Sequence, residues 1–201
     1  MSNSFPSEPE LKRVYLRGKS MAEIAKMHNC SVHKVEYWMD KYGIKRRSRS
    51  EATYVKRNPK GDPFRVKGHL TAHEKFLLGL GVGIYWGEGE KVTRSQIRVS
   101  NTDPRVLKAF IMFLRKICQL QKRKITYSIV CFNDTKPNTA RNFWARELKI
   151  SPEKFGKITQ IPPQGKGTYK KKSKFGVCSA QASNLKLKSW LMNEIASVSF
   201  A

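Results

Sequence analysis

Apolar residues in the first 44 positions recur at helical spacing in three short groups. Leu11, Val14 and Tyr15 form the first, Ile24, Ala25 and Met27 the second, and Val32, Val35, Trp38 and Met39 the third. Spacings of three and four place each group on one face of a helix. Residues that stop and restart helices lie between them. Gly18 ends the first helix. Ser20 caps the second, and Glu23 three residues on completes the reciprocal pair that satisfies free N–H groups at a helix start. Asn29 and Cys30 make a turn, and Ser31 caps the third helix. Residues 1–8 show no pattern and are expected to be disordered.

The pattern then changes. The segment KRRSRSEATYVKRNPKGDPFRVKGHL is basic and carries Pro59, Gly61, Pro63 and Gly68 as breakers. It reads as a linker over residues 48–71, between a first domain at 1–47 and a second at 72–201. In the second part a helix is predicted from near Thr71 to about Glu88, and a strand over Arg94–Ser100. Asp103 and Pro104 open a helix that buries Leu107, Phe110, Ile111, Leu114 and Ile117. Lys124–Phe132 alternates like a strand, Ala140–Leu148 is a short helix, and Ser151-Pro152 starts another. Phe175–Gln181 is a strand. Ser183 or Asn184 caps a final helix with Leu187, Trp190, Leu191 and Ile195 inward. Helices and strands mixed in this way are an α+β arrangement.

Charge narrows the choice of partner. Lys and Arg number 40 against 15 acidic residues, a formal net charge of +25. Such an excess fits a polyanion, and nucleic acid first, because basic side chains displace its condensed counterions. The excess is +6 over residues 1–50 and +12 over residues 121–201, so a single basic tail does not explain it. Two contact surfaces do. No apolar run is long enough to span a bilayer, and the N-terminus lacks the regions of a secretory signal. Cys30, Cys118, Cys131 and Cys178 are scattered without CxxC spacing and read as buried thiols rather than zinc ligands. A cytoplasmic protein with no membrane contact is expected.

The three N-terminal helices resemble the helix-turn-helix modules found in resolvases and beside homing endonucleases. The third would be the recognition helix. His33, Lys34, Glu36 and Tyr37 lie near its N-terminal end, the part that reaches base edges in the major groove. The basic run Lys45, Arg46, Arg47 and Arg49 follows directly. A three-helix bundle that binds another protein has the same pattern.

The stretch FLLGLGVGIYWGEGEK places Gly79, Gly83 and Gly87 four residues apart, with Gly81 between them. Each glycine inside a helix costs about 1 kcal/mol relative to alanine. A stripe of them is explained by close backbone approach of another helix. A phosphate-binding loop fits less well, since no GK[ST] follows and no strand precedes.

GVGIYWGEG resembles the LAGLIDADG motif of homing endonucleases. Gly83 stands at the motif's first glycine, Gly87 at its alanine, Glu88 at its final acidic residue and Gly89 at its last glycine. The resemblance implies an α-β-β-α-β-β-α domain over about residues 72–198. With one motif per chain, it implies a homodimer joined through Gly79, Gly83 and Gly87. In such an enzyme Glu88 of each protomer would hold Mg²⁺ at the scissile phosphates, and Lys91 or Lys124 would offset phosphate charge. Three departures stand out. Trp86 occupies a position that is often acidic, the terminal acid is Glu rather than Asp, and only 14 residues, Gly89–Thr102, separate the first two helices. The implied activity is site-specific cleavage of double-stranded DNA. The alternative is a non-catalytic transcription regulator with a decayed domain of this type. Maturase members of the family add RNA splicing as a third reading.

Two further segments face a polyanion on this reading. In the predicted strand Arg94–Ser100, Gln96, Arg98 and Ser100 share one face, and Gln and Arg each pair with two atoms of one base. The polar face of any half-exposed sheet looks the same. On Lys124–Phe132 the polar face carries Lys124, Thr126 and Ser128. The loop GKGTYKKKSK, with Lys170, Lys171 and Lys172 at its centre, suits phosphate contacts, or is a solvated loop.

Overall fold

A computed structural model of the chain describes residues 5–162 and 173–198. The chain divides into two compact units, Met1–Asp62 and Pro63–Ala201.

The first unit holds four helices: α1 (Glu8–Leu16), α2 (Met21–Met27), α3 (Val32–Lys41) and α4 (Arg49–Arg57). Leu11, Tyr15, Ile24, Ala25, Val35, Met39 and Ile44 form its core. The Ser20–Glu23 capping box is present, and Ser31 accepts the Lys34 N–H. Asn29 turns the chain between α2 and α3 in the left-handed region, at φ 46°. Two expected inward residues, Met27 and Val32, are exposed. Each lies at the end of a short helix, where one turn no longer reaches the core.

Helix α4 was not expected. Breakers dominate the expected linker as a whole, but they begin only at Pro59. Before them, Ser48 and Glu51 form a second capping box. A Cβ placed on Gly18 would come within 3.2 Å of Val55 Cγ1, so α4 lies against the end of α1. From Pro63 on, the expected linker belongs to the second unit. The Arg65 and Lys67 amides donate to the Cys118 and Ile117 carbonyls, and Phe64 and Leu70 pack on that unit's core.

The second unit runs α5 (Ala72–Glu88), β1 (Gln96–Asn101), α6 (Pro104–Lys116), β2 (Thr126–Phe132), α7 (Pro137–Leu148), β3 (Thr159–Ile161), β4 (Val177–Ser183) and α8 (Leu185–Ala196). The sheet order is β1-β4-β2-β3. Strand β4 pairs antiparallel with both β1 and β2, and β3 pairs parallel with β2. Between α5 and α6 one strand is described, preceded by an isolated bridge from Gly89 to Val99. The seven residues 89–95 are too few for a full second strand and its return. Helix α7 stands between β2 and β3, because Ala140, Trp144, Ala145 and Leu148 bury at helical spacing. Ser151-Pro152 opens a single 3₁₀ turn, not a helix.

The architecture is mixed α and β in two layers. Ile97, Val99, Tyr127, Ile129, Cys131, Cys178, Ala180 and Ala182 bury one sheet face against the helices. Alternation along the strands sends the intervening side chains to the other face. No described helix is long and apolar enough to cross a membrane.

Candidate nucleic-acid interface

Because β4 is paired on both sides, the strand register brings polar residues from three strands together. Arg98 lies opposite Gln181, Ser100 opposite Ser179, and Gln96 opposite Ser183. Thr126 and Ser128 lie across from Gln181 and Ser179 on the other side. Arg98 Nε donates to Gln181 Oε1 at 2.9 Å, and Gln96 Nε2 donates to the same oxygen at 3.3 Å. The Ser100 and Ser179 hydroxyls are 2.7 Å apart. None of these side chains is acidic. The sequence identified Gln96, Arg98, Ser100, Thr126 and Ser128 but missed Ser179 and Gln181. Their strand was recognised, but only the register shows that Gln181 meets Arg98.

Helix α5 ends at one edge of this face. Its start is fixed by the Thr71–Glu74 capping box. At its far end Gly89 bridges to Val99, and the Glu90 amide donates to the Arg98 carbonyl. Glu88 is therefore the last helical residue, beside β1. It is exposed and makes no hydrogen bond or ion pair among the described residues. The last turn of α5 holds no basic residue, so a carboxylate sits at the negative end of the helix dipole. Lys91 is close by in the chain, and its ammonium donates to the Gly89 carbonyl at 3.0 Å.

Lys124 is placed elsewhere. It ends the 3₁₀ turn Lys122–Lys124 before β2, with β1 and β4 between it and the Glu88 edge. Three strand spacings amount to about 14 Å. Within one chain the fold does not bring Lys124 to Glu88.

A buried lysine underlies the end of α5. Lys188, on α8, is only 3% exposed, and its ammonium donates to the Tyr85 hydroxyl and the Glu90 carbonyl. Burial lowers its pKa, and neighbouring Glu90 opposes that shift. Burial also pushes the Tyr85 hydroxyl up to about 12. The Glu90 carboxyl is held below its usual range, chiefly by the Thr93 amide, which donates to it at 2.8 Å. In the sequence Lys188 is one more polar residue of an amphipathic helix. A lysine at a core position leaves no trace in an apolar pattern.

The glycines of α5 fall on two faces. Gly81 is buried, and a Cβ there would lie 2.1 Å from Phe113 Cγ. Gly79, Gly83 and Gly87 are exposed, with nothing within 4 Å of where a Cβ would stand. Phe76, Leu80 and Trp86 flank them, with exposures of 67%, 38% and 42%. The outward side of α5 is thus an apolar strip with a flat floor.

In the first unit, His33, Lys34 and Tyr37 are exposed on α3. Glu36 forms an ion pair with Arg46, and His33 Nδ1 lies 3.8 Å from its carboxylate. Arg47 packs inward: its amide donates to the Tyr15 hydroxyl at 2.8 Å, and its guanidinium lies 4.0 Å from the centre of the Tyr15 ring and donates to the Lys19 carbonyl. Arg46 and Arg47 thus tie the segment after α3 to α3 and α1. Lys170, Lys171 and Lys172 lie outside the described residues.

No family model, curated protein or solved structure matches the chain. Among the described residues, no three His, Cys, Asp or Glu side chains converge as a metal site. One chain offers a single carboxylate at the end of α5. Mg²⁺ is commonly held by one or two carboxylates with waters and substrate phosphates. Glu88 supplies one such carboxylate, and a second protomer would supply the other.

Proposed function

We propose that the chain is a site-specific double-stranded DNA-binding protein that acts as a homodimer, and that it is a nuclease of the LAGLIDADG type. The observation that carries the DNA reading is the polar sheet face. Gln96, Arg98, Ser100, Thr126, Ser128 and Gln181, none of them acidic, present donors and acceptors around the buried Ser179, in a chain of net charge +25. A hydrogen-bonding surface of this kind is suited to base edges, while scattered lysines and arginines hold phosphates. The α3 side chains His33, Lys34 and Tyr37 would form a second contact.

The nuclease reading rests on Glu88. An unpaired carboxylate at the negative end of a helix, beside a face meant for a polyanion, works against binding unless a cation joins it. A two-fold axis along the glycine strip would bring the two Glu88 side chains together. They would hold Mg²⁺, which supplies activation of water and charge stabilisation at the scissile phosphate. Lys188 anchors the Glu90 carbonyl and so steadies the chain just past Glu88. Lys91, whose ammonium donates to the Gly89 carbonyl, would neutralise a phosphate. The regulator reading keeps the same DNA surface and gives Glu88 no ion.

One experiment tests these readings together. The protein is incubated with a randomised duplex library, with and without Mg²⁺, and the bound and cut molecules are sequenced. Enrichment of a defined site supports the DNA reading. Cleavage at that site only with Mg²⁺ supports the nuclease, and binding without cleavage supports the regulator. Preference for a structured RNA competitor over every duplex would overturn the DNA reading.

A further inference from the structure

Two arginines of this unit have Nε held by a glutamine: Arg123 by Gln121, two residues away, and Arg98 by a residue on the neighbouring strand. The Arg98 Nε–H is committed to Gln181 Oε1 at 2.9 Å. It makes no ion pair among the described residues, and Nη1 and Nη2 make no hydrogen bond there. The Gln181 amide is itself oriented, because its Oε1 receives both Arg98 Nε and Gln96 Nε2. The flipped amide would set donors against donors. Arg98 and Gln181 face each other across the β1–β4 ladder, on strands that the sheet keeps rigid. The result is a guanidinium with its inner edge fixed and its outer two-pronged edge open.

We infer that Arg98 reads one guanine per protomer in the bound DNA, and that Gln181 is the residue that positions it to do so. The inference rests on the duplex-DNA reading above. Guanine presents O6 and N7 side by side in the major groove, the acceptor pair that matches two parallel N–H donors. Adenine places an amino donor where O6 would be, so one prong would meet a donor. Thymine has a single carbonyl and a methyl group there, and cytosine an amino group. A lysine in place of Arg98 keeps the charge but loses the fork. A floppy arginine would serve a phosphate equally well. Fixing Nε across the ladder is what turns a cation into a base reader.

The test compares site selection by wild type, Arg98→Lys and Gln181→Met, followed by binding titrations on the selected duplex and on four versions with each base at the guanine position. Both changes lie on the open face, and thermal melts confirm that each variant is folded. Wild type should prefer guanine at one position per half-site by roughly 5- to 150-fold. Arg98→Lys should bring that ratio close to one while the ratios at other positions hold. Gln181→Met should lower it with Arg98 still present, without changing the slope of log K against log salt. Two outcomes overturn the inference and leave DNA binding intact. In one, the guanine ratio is unchanged in Arg98→Lys. In the other, affinity falls equally for all sequences with a smaller salt slope, the behaviour of a phosphate contact. If the folded wild type enriches no duplex at all, the DNA reading falls, and this inference with it.

Discussion

Gly81→Ala is a demanding test of how α5 is packed, because three neighbouring glycines give the opposite expectation. At an exposed helical site, replacing glycine by alanine stabilises by about 0.5–1 kcal/mol. At Gly81 the new Cβ would lie 2.1 Å from Phe113 Cγ and 2.6 Å from Phe113 Cβ. Phe113 is fully buried between Phe110 and Trp190, so its ring cannot swing clear. Overpacking of this kind costs about 1–3 kcal/mol. The clash involves the root of the side chain rather than its tip, which places the cost near the upper end. Subtracting the helix gain leaves a net loss of about 2 kcal/mol. For a unit of this size each kcal/mol moves Tm by about 3–4 °C, so a drop of about 6–8 °C is expected. Far-UV circular dichroism melts of Gly81→Ala and Gly83→Ala give the comparison. Gly83→Ala should not lower the Tm of the monomer, since nothing lies within 4 Å of its Cβ position. A Gly81→Ala protein that melts at or above wild type would refute the packing described here. So would a Gly83→Ala protein that loses as much while remaining monomeric throughout.

Gly83→Leu should leave the fold intact but yield monomers in analytical ultracentrifugation; a wild type that is monomeric even on DNA removes the two-fold model. Glu88→Gln should abolish Mg²⁺-dependent cutting and leave binding equal or slightly tighter, whereas Glu90→Gln should matter much less, since an amide oxygen still accepts the Thr93 N–H. The reverse pattern would mean that the acidic residue has been assigned out of register. Deleting residues 1–62 should weaken DNA binding and flatten its salt dependence, and the second unit alone should still bind at low salt. The Glu74 carboxyl is pulled from 4.5 to about 2, first by the Lys67 ammonium and then by the Thr71 amide. A depressed acid contributes stability above pH 4.5 that is lost as the pH falls towards 2. The Tm gap between wild type and Glu74→Gln should therefore narrow over that window, and a gap that stays constant contradicts the assignment.

What the sequence revealed depended on how local the signal was. Caps and periodic faces are local, so α1 to α3, α5 to α8 and strands β1, β2 and β4 were legible within a few residues. Ser20, Ser31, Thr71, Asp103 and Asn184 all cap helices. Helix α4 was hidden because breakers at 59–63 coloured the reading of the residues before them, although the Ser48–Glu51 pair was in plain view. The parts of the candidate site that depend on pairing between distant segments were not legible. Gln181 meets Arg98, Lys188 meets Tyr85, and Lys124 is kept away from Glu88 only by virtue of the strand order. The glycines illustrate both cases. Their spacing was visible at once, but the division between buried Gly81 and its three exposed neighbours required Phe113 in place.

The position of β4 also bears on how the protein is made. It pairs on both sides, with β1 and with β2, yet it follows β1 by most of the length of the unit: Gln96 and Gln181 touch across 85 residues of sequence. On a growing chain β1 and β2 therefore wait, with apolar faces uncovered, until the strand that joins them has been synthesised. The four helices of residues 1–62 need no such partner and can fold while the remainder is still being translated. The second unit is the slow step of biogenesis, and the stage at which a half-made chain is most exposed to aggregation.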